Sequence, residues 1–148
     1  MAESLNPVPH LSFTPAHAVA LGARLRVLEE DCHEIEHGLK GVEGICFEYA
    51  DTLPESVKRT ARATIKDLFR ELARLQSELA LRKQQIDLRR TLNARLSHMW
   101  VTLLESKAES LKGYGEVPDE LRAFLDPRID RLLELWSRLR DALGEDEK

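Results

Sequence analysis

From Thr14 onward the apolar residues recur at helical spacing. Leu21, Leu25, Leu28, Cys32, Ile35 and Leu39 follow one another at intervals of 4, 3, 4, 3 and 4, so they line one face of an amphipathic helix. Thr14 followed by Pro15 predicts its start: a hydroxyl accepts from the free N–H groups of the first turn, and a residue with no donor of its own comes next. Gly38, Gly41 and Gly44 weaken the helix and place its end near Lys40. Residues 1–14, with Pro7 and Pro9 and little periodicity, read as a loose N-terminal arm.

Residues 55–112 contain neither Gly nor Pro in 58 positions, and their interior is expected to be helix. Val57, Ala61, Ile65, Leu68, Leu72, Leu75 and Leu79 form one seam, but its next heptad positions fall on Arg82 and Arg89. A new seam of Leu88, Leu92, Leu96, Met99 and Leu103 is rotated from the first by roughly a quarter turn. One alternative is a continuous helix of about 87 Å in a dimeric helical assembly. Antiparallel pairing with its own copy would then set Arg82 and Lys83 beside the same basic residues. A turn near Gln84–Asp87, with Asp87 as the next N-cap, avoids that repulsion and is the favoured reading.

Lys112 to Glu116 make another break, where Gly113-Tyr114-Gly115 needs only backbone freedom. Val117-Pro118-Asp119 restarts a helix. Asp126-Pro127 resembles a further start, which would make Asp119–Leu125 a short separate piece. Leu125, Ile129, Leu132, Trp136, Leu139 and Leu143 repeat the 4, 3, 4, 3, 4 spacing. Gly144 is a natural C-cap, and residues 145–148 form a charged, frayed tail. The expected fold is all-α, an antiparallel up-and-down four-helix bundle over residues 15–144.

Composition and charge strengthen this picture. Ala, Glu, Lys, Arg and Leu supply 78 of 148 residues, while Val, Ile and Thr number 7, 5 and 6, too few for several packed strands. Residues 1–54 carry 3 basic and 9 acidic side chains (net −6), residues 55–112 carry 13 and 7 (+6), and residues 113–148 carry 6 and 10 (−4). The basic middle and acidic outer segments attract where they pack, which selects a topology more than it stabilises one. No apolar run approaches the length of a membrane span, and the first residues lack a secretory pattern. Cys32 and Cys46 read as free thiols, Cys32 in the core, so the expected compartment is the cytoplasm. Trp100 and Trp136 are expected to fill the core or its rim.

Three strings could carry chemistry. His33-Glu34-Ile35-Glu36-His37 resembles the H-E-x-x-H of zinc peptidases, which would make His33 and His37 metal ligands and Glu34 the base. Its phase sets these side chains about 120–160° from the seam, on open surface, so the expectation is a solvated charged face with no cofactor. The Glu-x-x-His pairs Glu30–His33 and Glu34–His37 are similar to those of di-iron bundles, whose carboxylates must point inward from four helices. His37-Gly38-Leu39-Lys40-Gly41 is similar to the His-x-Leu-Lys-Gly string of histidine phosphotransfer domains, which are also four-helix bundles. That resemblance implies phosphate acceptance by His37, with Lys40 and Gly41 along its approach.

Two groups could bind a macromolecule. Arg82, Lys83, Arg89, Arg90 and Arg95 gather around the expected turn, but the chain is acidic overall and no aromatic residues interleave them, which argues against nucleic acid. Ile45, Cys46, Phe47 and Tyr49 either plug the end of a bundle or, if exposed, form a partner-binding patch. The functional expectation is a non-catalytic cytosolic protein acting through protein–protein interaction, with a homodimer among the candidate assemblies. Histidine phosphotransfer through His37 is the first alternative and metal binding at His33 and His37 the second.

Overall fold

The computed structural model of the chain describes residues 12–144, and every regular element among them is helical. These elements are α1 (Pro15–Lys40), α2 (Glu55–Glu78), α3 (Leu88–Glu105), a 3-10 segment (Ala108–Tyr114) and α4 (Asp119–Gly144). The tail expected over residues 145–148, and all of the N-terminal arm but residues 12–14, lie outside the described residues. The chain divides into two units, residues 1–84 and 85–148.

In the first unit α1 and α2 form an antiparallel hairpin. The Thr14 hydroxyl accepts from the His17 N–H at 3.1 Å, and the His17 Nδ1 accepts from the Thr14 N–H at 3.5 Å. This is a reciprocal capping box with histidine in the usual Glu/Gln place. Gly41 closes α1 at φ +63°, donating its N–H to the Gly38 carbonyl, a left-handed position that suits glycine. Leu25 and Cys32 of α1 and Ile65 of α2 are buried between the helices. The Arg62 guanidinium reaches the Leu39 carbonyl at 3.5 Å, and the His33 and Phe69 rings lie 4.8 Å apart.

The chain leaves α2 where its seam runs out, a few residues before the expected turn. Leu81 donates its N–H to the Gln76 carbonyl and Ala80 donates to Ser77, the paired bonds of a Schellman motif. The residue in its left-handed position is Ala80, at φ +50°. With no glycine to mark it, this stop is invisible to a composition scan, and the break spans residues 79–87 instead of 84–87. The Gln76 side chain adds a 2.9 Å bond to the Leu81 carbonyl.

The second unit is a hairpin of α3 and α4 braced by the 3-10 segment. Asp87 caps α3 as expected, its carboxylate accepting from the Arg90 N–H at 3.1 Å. Leu96 and Ile129 are buried between the helices, and the indole Nε1 of Trp136 donates to the Leu96 carbonyl at 2.9 Å. The Trp100 and Trp136 ring centroids are 6.4 Å apart, at the rim of this core.

α4 runs unbroken through Pro127, so no separate helix ends at Leu125. Asp126 is not a cap. Its carboxylate accepts the N–H of the fully buried Ala108 at 2.9 Å, and Asp130 one turn later pairs with Lys107 at 2.7 Å. Arg128 stacks on the Phe124 ring and donates to the Phe124 carbonyl in the turn around the proline. Gly144, expected just past the end, is the last helical residue.

Candidate functional site

Each hairpin fully buries only one or two residues of each seam. In α1, Leu25 and Cys32 face α2, whereas Leu28 and Ile35, members of the same seam, are 51% and 53% exposed. At about 100° per residue they sit some 60° round the helix from Leu25 and Cys32. On α2, Leu68 and Val57 lie similarly to one side of the buried Ile65 and are exposed. The His33–Phe69 ring contact marks the opposite flank of both helices. In an antiparallel pair the remaining flanks therefore share one side, and Leu28, Ile35, Val57 and Leu68 belong to a single apolar face. In the second unit, Met99 of α3 and Leu132 and Leu139 of α4 are exposed beside Leu96 and Ile129 in the same way.

The α1–α2 loop carries the second apolar group. Ile45 is fully exposed, and Phe47 and Tyr49 pack edge to face at 5.7 Å while both remain exposed, as does Cys46. These residues do not plug a core. The Gly44 N–H donates to the Phe47 carbonyl at 2.9 Å, and the Phe47 ring lies over Gly44, where a Cβ would stand 2.3 Å from it and make the ring swing aside. Behind the loop a cavity of about 220 Å³ is lined by Ile35, Leu39, Tyr49, Leu53 and Lys58. Lys58 pairs with Asp51, whose carboxyl is held below its usual range by that bond and by the Leu53 N–H.

The expected basic cluster divides between the units. Arg82 and Lys83 border a groove of about 490 Å³ beside Phe13, Pro15 and Gly22 in the first. Arg89, Arg90 and Arg95 lie on α3 in the second, where Arg90 and Arg95 flank a shallow groove with Thr91, Ala94 and His98.

His33, Glu34 and His37 are exposed on α1. His33 is not on fully open surface: it sits at the edge of the hairpin, its ring against Phe69 and its Nε2 3.9 Å from Glu29. Among the described residues no group of three His, Cys, Asp or Glu side chains converges as a metal site. Resolved pKa shifts all favour the charged form. Lys112 and Arg122 lower Glu109, Arg131 and Arg138 lower Glu134, and Asp130 raises Lys107. These groups are fixed as ions at neutral pH and none is poised to exchange a proton there.

Sequence reasoning placed Leu28 and Ile35 in the core. The signal that separates them is the charged Arg24 and Asp31, which lie on their flank of the helix and not on that of Leu25 and Cys32. No described helix is long and apolar enough to cross a membrane. Compared with protein-family models, curated proteins and solved structures, the chain matches none of them.

Proposed function

We propose that this chain is a non-catalytic cytosolic protein that works by binding other proteins through the apolar faces of its helical hairpins. The exposure of two residues in each seam carries this reading: Leu28, Ile35 and Leu68 in one unit, and Met99, Leu132 and Leu139 in the other, are among those that stand open to solvent. Apolar groups aligned at helical spacing are the form in which a groove or helix recognises a helical partner. The up-and-down four-helix bundle belongs to the same proposal, since hairpins with one apolar face are the halves from which such a bundle is built. Two unpaired thiols, Cys32 and Cys46, agree with a reducing compartment.

The test is native mass spectrometry of gently purified protein, comparing wild type with Leu68→Lys and Leu132→Lys. The reading expects assemblies in the wild type that both lysine variants lose while circular dichroism stays helical. Assemblies unchanged in the variants would show that these faces are not the binding surfaces.

A further inference from the structure

We infer that α1 pairs antiparallel with α1 of a second copy of this chain, across a two-fold axis at Leu28. This deepens the interaction reading above and rests on it. Leu21, Leu28 and Ile35 recur every seven residues, and α2 leaves Leu28 and Ile35 half exposed. Leu21 and Ile35 are each seven positions from Leu28, so reversing the helix about Leu28 exchanges them. Leu28 then meets its own copy, and Leu21 meets Ile35 of the second copy. A stripe that maps onto itself in this way suits an isologous contact.

The charges select the second copy and the antiparallel direction. Arg24 and Asp31 lie about 40° and 60° from Leu28, both on the side away from α2. Reversal about Leu28 brings Arg24 within one residue of Asp31 of the second copy, and the symmetry makes this pair twice. Arg24 makes only a bond to the Ala20 carbonyl of its own helix, and Asp31 has no ion-pair partner among the described residues. The helix is also polarised. Residues 15–27 carry Arg24 and Arg26 and no acid, whereas residues 28–40 carry Glu29, Glu30, Asp31, Glu34 and Glu36 against Lys40. Arg26, Glu30 and Glu34 point away from the Leu28 face, so Arg24 and Asp31 set the direction: parallel pairing in register sets each against its own copy, while antiparallel pairing sets each against the other. Leu68 of α2 extends the contact on the same side. Glu71 and Glu78, further out, hold Arg74 between them as counter-charge.

Sedimentation equilibrium on the full chain tests this. Wild type is expected to dimerise. Arg24→Asp and Asp31→Arg, each turning two attractions into two repulsions, are expected to raise the dissociation constant roughly ten- to thirtyfold. The double variant restores the pairs and the affinity. In a Cys46→Ser background, oxidising a mixture of Leu21→Cys and Ile35→Cys chains is expected to give mixed cross-linked dimers in preference to either like pair. This readout holds even if the charge variants fold poorly. A chain monomeric up to its solubility limit, a double variant no better than the singles, or dominant like-pair cross-links would each overturn the inference. If face variants still lose a different partner in that case, the interaction reading survives without it.

Discussion

The indole N–H of Trp136 donates to the backbone carbonyl of Leu96 at 2.9 Å, tying the middle of α4 to the middle of α3. That carbonyl already faces its own helix's i+4 amide, so the indole takes its second lone pair. Trp136→Phe keeps most of the ring packing and removes this bond, and is expected to cost about 1 kcal/mol. Leu96→Ala, which opens a cavity at a buried position, is expected to cost about 2–5 kcal/mol. Urea unfolding followed by circular dichroism checks both, and a Trp136→Phe variant as stable as wild type would deny the indole bond its contribution.

Ala80 occupies the left-handed position of a Schellman motif at φ +50°. A Cβ in that region costs on the order of 1 kcal/mol that glycine does not incur. Ala80→Gly is therefore expected to raise the thermal midpoint of the first unit by a few degrees, offset in part by the greater freedom of glycine in the unfolded chain. Differential scanning calorimetry reads the sign directly, and a lowered midpoint would mean the entropy of the unfolded glycine dominates.

The bond from the buried Ala108 N–H to Asp126 fastens the 3-10 segment to α4. Asp126→Ala leaves that donor buried and unpaired, at a cost of about 1–3 kcal/mol. Asp126→Asn retains an acceptor oxygen and is expected to cost less. Amide hydrogen exchange is the informative measurement: protection at Ala108 should fall sharply in Asp126→Ala while Leu96 changes little.

Stability should be flat through neutral pH and decline on both sides. Asp51, Glu109 and Glu134 have folded pKa values below their ordinary ones, through Lys58, Lys112 with Arg122, and Arg131 with Arg138 respectively. Their contribution is complete above the unfolded carboxylate range, about pH 4–4.5, and is lost as pH falls through the lowered values. Lys107 is raised by Asp130, so its contribution is complete below about pH 10 and is lost as pH rises through the raised value. The groups are solvent-exposed and each effect is small. A thermal-midpoint profile checks the shape, and Glu109→Gln with Glu134→Gln should make the acid limb shallower.

Helix starts were legible in the sequence because their chemistry is local: Thr14-Pro15 and Asp87 cap α1 and α3 with their own side chains. Stops were less so. Ala80 closes α2 in a conformation its residue type does not advertise. At Pro127 the apparent start is no start: Asp126 is engaged by Ala108, 18 residues away, a partner that no window around residue 126 contains. The same limit applied to the candidate surface. A seam shows which residues face inward on average, but whether one neighbouring helix covers all of it depends on the flank that neighbour takes, and here α2 takes the side of Leu25, Cys32 and His33.

The division at residues 84 and 85 bears on how the chain is made. Each hairpin draws its pairings from one uninterrupted stretch, so those of the first can form before the second has left the ribosome. Loops closed between near neighbours are entropically cheap and fast, and a nascent chain of this kind settles in the order of its synthesis. A ribosome stalled after the first hairpin has emerged would already display the pairing of α1 with α2.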